Sequence, residues 1–291
     1  MNKFLFPVAL SAILCIVSCK SKNEESKDAT PRFSNELTRE EKAGGIMTPE
    51  ILWKFSRLGS FDLSPDGSTV IYTATDIDMK TETRRTNIFR IPSSGGDPVQ
   101  ITTEGGSSPR WFSNGQSIAF VSGGRLMTMK PDGSEKQTVE GLENFEYFNI
   151  SPAGDKILFT RRVKLDQTAN EKYNLSNARV RIIDDLMYRH WDYWSDYSYS
   201  HVFVASFNGR KVSGIKDIME GQKYESPTAP YFDENEISWS PDGRYIAYTS
   251  KRMSGRDDDR STNTDIFLHE ISPGKAAQLS EKNNGFEQYP D

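Results

Sequence analysis

A four-residue turn recurs along this chain. Ser64-Pro65-Asp66-Gly67 ends one hydrophobic step and precedes Val70-Ile71-Tyr72, and Ser240-Pro241-Asp242-Gly243 precedes Tyr245-Ile246-Ala247-Tyr248. Two worn copies lie between them. Phe112-Ser113-Asn114-Gly115 stands ahead of Ile118-Ala119-Phe120, and Ser151-Pro152-Ala153-Gly154 ahead of Ile157-Leu158-Phe159. One such turn would be ordinary; four, each followed by a short β-prone run, restrict the chain to a repeat architecture.

A second signal follows each turn. Asn87-Ile88-Phe89-Arg90-Ile91 precedes Ser94-Gly95-Gly96, and Arg125-Leu126-Met127-Thr128-Met129 precedes Pro131-Asp132-Gly133. His201-Val202-Phe203-Val204-Ala205 precedes Asn208-Gly209, and Asp265-Ile266-Phe267-Leu268-His269 precedes Pro273-Gly274. These are short strands closed by hairpin chemistry. With the strand that leads into the turn, each unit is a four-stranded sheet. Gly67 to Gly115 is 48 positions and Gly115 to Gly154 is 39, around the ~40–45 of a propeller blade. The expected fold is therefore all-β: a β-propeller of about four four-stranded blades that form an incomplete ring over residues 46–291. Gly154 to Gly243 is 89 positions, and the excess falls before Val202. The third unit thus carries an insertion, roughly 163–200. Phe286-Glu287-Gln288-Tyr289-Pro290-Asp291 reads as the lead-in to a further unit, which suggests a longer parent protein.

An aromatic share of 11% suits pleated, packed surfaces. A net charge of -5 with no long basic run argues against a nucleic-acid partner. At the N-terminus, Lys3 followed by the apolar run Phe4 to Val17 is too short to span a bilayer and reads as a secretory signal over residues 1–18. Ile16-Val17-Ser18-Cys19 resembles a bacterial lipobox, which implies cleavage before Cys19 and lipid attachment to it. Only Cys15 and Cys19 are present, so the processed chain has no pair for a disulfide. The polar stretch 19–45 reads as a flexible tether.

Candidate chemistry is sparse. His190, His201 and His269 show no His-x-x-x-His spacing, and the latter two flank predicted strands, as structural or surface residues do. No Gly-x-Ser-x-Gly nucleophile elbow occurs. Arg256-Asp257-Asp258-Asp259-Arg260 lacks the spaced ladder of a calcium loop and reads as a solvated inter-strand loop. The insertion is the one unusual constellation: Tyr188, Arg189, His190, Trp191, Asp192 and Trp194 interleave aromatic, acidic and basic groups. Such a mixture suits a substrate-binding or interface wall, because aromatic faces supply area and Arg with Asp fixes orientation. It also suits the simple packing of the insertion onto its blade.

Three places carry a family resemblance. The opening Met47-Thr48-Pro49-Glu50-Ile51-Leu52-Trp53-Lys54 with Leu58-Gly59, the Ser-Pro-Asp-Gly turns, and Leu186-Met187-Tyr188-Arg189-His190-Trp191-Asp192 together resemble the propeller half of the prolyl oligopeptidase family of serine peptidases. The nearest branch is that of dipeptidyl peptidase V and the acylaminoacyl peptidases. The resemblance implies a substrate-gating propeller that filters peptides by size and helps hold their amino end. It implies an α/β-hydrolase partner domain, carrying the catalytic Ser, Asp and His, that is not among these residues. It implies short peptides as ligands and no cofactor or metal, so this chain by itself is expected to be inactive. Together with the lipobox it implies a bacterial cell-envelope protein, lipid-anchored on the periplasmic or outer-membrane side. A non-enzymatic propeller lipoprotein that scaffolds an envelope complex is the alternative.

Overall fold

The computed structural model describes residues 35–291 apart from Ser176, Ala178, Arg179, Asp184, Asp185 and Met187. The signal segment, Cys19 and most of the expected tether lie outside the described residues. The described part of that tether is not a featureless linker. Residues Arg39–Gly44 form helix α1, because Thr38 and Glu41 build a reciprocal capping box and Lys54 pairs with Glu41 at 2.8 Å. Helix α2 (Pro49–Lys54) follows, started by the Thr48 side chain and by proline in its first turn.

Four antiparallel sheets then succeed one another. Blade 1 holds β1 (Arg57–Leu63), β2 (Thr69–Asp78), β3 (Thr83–Pro92) and β4 (Val99–Gln100). Blade 2 holds β5 (Ser107–Trp111), β6 (Ile118–Ser122), β7 (Arg125–Met129) and β8 (Gln137–Thr138). Blade 3 starts with β9 (Phe148–Ile150) and β10 (Lys156–Lys164). Its insertion contains helix α3 (Ala169–Lys172) and a two-stranded hairpin, β11 (Arg189–His190) with β12 (Tyr193–Trp194). It ends with β13 (Ser198–Phe207) and β14 (Val212–Asp217), in the sheet order β9-β10-β13-β14. Blade 4 holds β15 (Ile237–Trp239), β16 (Tyr245–Ser250), β17 (Asp265–Glu270) and β18 (Lys275–Gln278). The acidic run expected to be a loop is instead helix α4 (Gly255–Arg260), steadied by Lys251 on Asp258 at 2.9 Å.

The recurring turn explains its own sequence. In Ser64-Pro65-Asp66-Gly67 the Ser64 hydroxyl donates to Asp66 at 2.6 Å and accepts from Thr69 N, while Ser68 N donates to Asp66. Gly67 takes φ +71°, a left-handed value that other residues resist. Ser240-Pro241-Asp242-Gly243 repeats every one of these contacts. The Ser64 hydroxyl, then the backbone N–H of Ser68, hold the Asp66 carboxyl down to about 2.

Each blade is cemented to its predecessor by an equivalent row of side chains. Five residues after each turn glycine comes Tyr72, Phe120, Phe159 or Tyr248. In three blades this residue stacks on its cross-strand partner: Tyr72 on Phe89, Phe159 on Phe203 and Tyr248 on Phe267, with ring centroids 5.2–5.7 Å apart. Phe120 joins Ile71, Ile88 and Ile101 of blade 1 in one buried cluster. Phe159 and Phe203 join Phe112, Ala119 and Leu126 of blade 2 in another. Tyr248 and Phe267 join Leu158, Val202 and Val204 of blade 3 in the last. Strand β10 thus serves two interfaces: Ile157 and Phe159 face blade 2, and Leu158 between them faces blade 4, as the two-residue period of a strand requires. The matching row of blade 1 is more open, and Phe61 beside Tyr72 is 71% exposed.

Contacts near the inner strands reach beyond neighbouring blades. Arg110 of β5 pairs with Glu234, in the short turn before β15, at 2.8 Å. It passes Tyr147, the lead-in residue of blade 3, whose hydroxyl is pushed up by burial. Asp62 of β1 accepts from Trp111 N at 2.7 Å, and burial raises its carboxyl.

Candidate functional site

In an antiparallel meander, the loop between the second and third strands lies at the same end as the connection to the next blade. The insertion of blade 3 and the segment 218–236 leading to blade 4 are therefore neighbours, and the four recurring turns lie at the other end. Between blades 2 and 3 at the turn end is an open cavity of about 540 Å³, lined by Phe112, Phe207 and mostly polar groups such as Gln137 and Asn208. It contains none of the six residues singled out in the insertion.

Strands β10 and β13 pair continuously from Lys156↔Ser206 to Lys164↔Ser198 and carry the insertion above the sheet. The ladder outlasts the apolar run because side chains support its upper part: Val163 packs against the blade 2 cluster, Arg161 lies over Phe159, and Arg162 donates to the Ser198 carbonyl. This is why the insertion begins after Lys164 and ends before Ser198, inside the 163–200 expected from spacing. Within it, Tyr188 stacks on Trp194 at 6.0 Å, and the Arg189 and Arg181 guanidiniums lie over the same indole at 5.0 and 4.4 Å. Tyr188, Arg189 and Trp194 thereby knit the hairpin together.

Trp191 and Asp192 form the two-residue turn of the hairpin. Trp191 has φ +48°, at the first central position, where glycine is the usual occupant. Its side chain is 68% exposed and lies 4.7 Å from the His190 ring and 6.5 Å, edge-on, from Tyr231. Tyr231 belongs to the segment before blade 4 and is itself 76% exposed. The structure therefore divides the six residues: Tyr188, Arg189 and Trp194 hold the hairpin, His190 packs on Trp191 and Tyr193 within it, Trp191 meets Tyr231 from elsewhere in the chain, and Asp192 is exposed at the tip.

The base of the insertion holds groups that the sequence did not single out. Arg162, near the end of β10, donates to Glu225 at 3.1 Å and to the Ser198 carbonyl, and it lies 5.7 Å over the ring of Phe232. Ser200 donates to the exposed Glu146 at 3.0 Å. Burial pushes the Glu225 carboxyl up. Arg162 and the backbone N–H of Ser200 offset this only in part, and the nearby charge of Glu146 adds to it. Asp196 stands 4.0 Å from Arg162. Glu225 and Asp196 thus flank one guanidinium, and Glu146 lies close enough to Glu225 to raise it; the cluster favours an additional cation such as an ammonium group. Glu146, Arg162 and Glu225 are far apart in sequence, and no spacing or motif links them. The one available signal was the doubled Arg161-Arg162 closing a strongly apolar strand. His201 and His269, read as structural or surface residues, lie within strands and are buried.

No family model matches the chain. It is 37% identical over 255 residues to the dipeptidyl-peptidase 5 of Porphyromonas gingivalis, covering 85% of this chain and 37% of that protein. It is 32% identical over 264 residues to the dipeptidyl-peptidase 5 of Porphyromonas endodontalis, covering 87% and 38%. The chain thus spans just over a third of the length of these curated relatives. Among solved structures, the Pyrococcus horikoshii acylaminoacyl peptidase matches with a TM-score of 0.54 at 15% identity, over 78% of this chain and 33% of that one. An acylaminoacyl peptidase in complex with Z-Gly-Gly-Phe-chloromethyl ketone matches with a TM-score of 0.55, also at 15% identity, over 81% and 33%. At that identity these two matches bear on the fold alone.

Proposed function

We propose that this chain, a peptidase-related propeller homologous along 85–87% of its length to dipeptidyl-peptidase 5 proteins, is the substrate-gating part of an exported serine exopeptidase that acts on short peptides. The homology carries this reading. The proposed chemistry is acyl transfer: a serine attacks the peptide carbonyl, a histidine takes its proton, and an oxyanion hole stabilises the intermediate. The 291 residues contain no Gly-x-Ser-x-Gly, and they match 37–38% of the relatives' length. The cutting groups of such an enzyme are therefore sought in its remaining part.

The propeller's own contribution is to receive and orient the peptide. Glu146 and Glu225 supply carboxylates for its amino terminus, and Arg162 fixes Glu225 in place. Replacing Glu146 with glutamine removes a charge at an exposed position with little structural cost. Calorimetry with Ala-Ala-Ala is expected to show about tenfold weaker binding to Glu146→Gln, the loss of one charge-assisted hydrogen bond of about 1.5 kcal/mol. N-acetylated Ala-Ala-Ala should bind wild type and variant equally poorly. Equal affinity of wild type for the free and acetylated peptides would refute the amino-end role.

Export and anchoring rest on the Val17-Ser18-Cys19 pattern. Metabolic labelling with a palmitate analogue in a bacterial host should mark the wild-type chain and not Cys19→Ser. Labelling of both, or of neither, would sink the lipid-anchor proposal.

A further inference from the structure

The third strand of each blade repeats a pair of residues two positions apart: Phe89 and Ile91, Met127 and Met129, Phe203 and Ala205, Phe267 and His269. Three blades thus hold an apolar side chain where blade 4 holds an imidazole. His269 is 3% exposed. Phe267 and Ile271, two residues to either side, both pack in the cluster between blades 3 and 4. The two-residue period of the strand therefore turns His269 to the same seam. Its cross-strand neighbours are Ile246 of β16 and Ala276 of β18. Neither ring nitrogen has a hydrogen-bond partner among the described residues. From blade 3, the charge that bears on it is Lys216 of β14. Lys216 pairs with Val204, a residue of the same cluster, and its Nζ crosses the seam to Gly274, where a Cβ would stand 2.6 Å from it. The carboxylate next along β14, Asp217, is taken by His201 and by Met219 N.

An imidazole in this place is tolerable when neutral and costly when charged. Protonation puts a cation into an apolar seam, with no acceptor for its two N–H groups and a lysine opposite. We infer that His269, opposed by Lys216, makes the seam between blades 3 and 4 acid-sensitive: proton uptake loosens these two blades from each other while the other seams hold. The equivalent residues in the other two seams, Met129 and Ala205, do not titrate. Burial, then the Lys216 charge, hold the imidazole below its ordinary 6.5. The unfolded chain takes up the proton as pH falls through 6.5, and the folded chain only further down. The seam therefore has its full stability above 6.5 and loses it as pH falls below. Ile218 and Met219 belong to the same cluster and open the segment that carries Glu225 and Tyr231. Mild acid thus slackens the mounting of the candidate site, whichever ligand that site takes.

Hydrogen exchange on the full chain at about pH 7.5 and about pH 5.5, each corrected for the pH dependence of free amide exchange, tests the seam. In acid, amides of β16 and β17 should lose protection at least about threefold, and those of β2 and β6, in the seam of blades 1 and 2, less than about twofold. His269→Met copies the residue of blade 2, and His269→Gln is neutral at every pH. Each should abolish the acid-induced loss, whatever its stability in neutral buffer, so a poor fit of one substitute does not decide the result. Lys216→Gln removes the opposing charge and should lessen the loss. Acid-induced loss that persists in both His269 variants overturns the proposal. So does equal loss in all three seams, or none in the wild type. Loss undiminished in Lys216→Gln overturns the part given to the lysine.

Discussion

Replacing Phe159 with alanine is expected to cost about 3–5 kcal/mol of folding stability, the range for deleting a large aromatic side chain from a close-packed core. The ring is fully buried, stacks on Phe203 with centroids 5.2 Å apart, and carries the Arg161 guanidinium at 5.2 Å. More decisive is its place between blades, in the cluster that also holds Phe112, Ala119 and Leu126 of blade 2. Tyr72 is the built-in control. It holds the same position after its own turn glycine and stacks on Phe89 at 5.7 Å, but it is only half-buried. Tyr72→Ala should therefore cost about 1 kcal/mol, near the centre of the range for point substitutions in general. Chemical denaturation with a shared m-value measures both. Equal losses would show that stacking within a sheet, rather than burial between sheets, holds the propeller together.

The second large effect is expected at His201. Its ring is fully buried, with Nδ1 2.8 Å from Asp217 Oδ2 and Nε2 2.8 Å from the Gln222 carbonyl oxygen. Both partners are acceptors, so the ring satisfies both only by donating from both nitrogens. His201→Phe keeps most of the volume and deletes both donors. Two mostly buried acceptors are then left unpaired, at about 1–3 kcal/mol each. A loss of about 3 kcal/mol or more in denaturant melts is the expected result. The double variant His201→Phe/Asp217→Asn should recover part of it, since a neutral amide is cheaper to leave without its partner than a carboxylate. A double variant no more stable than the single one would mean that the loss comes from misfitting volume. Asp217 Oδ1 also accepts from Met219 N at 2.8 Å, so this histidine fastens the end of β14 to the segment that carries Glu225 and Tyr231.

The architecture was legible in the sequence because its signals are local. A turn needs a glycine at a left-handed position and a short side chain to accept from the backbone, so Gly67, Gly115, Gly154 and Gly243 announce themselves within four residues. The aromatic position five residues later was present in the sequence too, but its meaning depends on which sheet face it occupies, and this shows only once blades stack. The site was less legible for the same reason. Trp191 could be singled out because it lies in a dense aromatic stretch. Glu146, Arg162 and Glu225 come together only through strand pairing within blade 3 and the return of the segment before blade 4, which also brings Tyr231 to Trp191. Helix α1 was missed although Thr38 and Glu41 spell out a capping box, because the charged composition around them reads as linker.

The long β10–β13 ladder also bears on how such a chain can change over generations. Its lower half, from Lys156 to Thr160, is committed on both faces, to blade 2 through Ile157 and Phe159 and to blade 4 through Leu158. Its upper half, from Arg161 to Lys164, answers to neither cluster with more than the partly buried Val163. Substitutions, insertions or deletions above that line can rewrite what is recognised without disturbing what holds the sheets together. Lineages descended from one such propeller should therefore diverge first and furthest in the segment that β10 and β13 hold aloft, while the residues beneath it stay legible as kin.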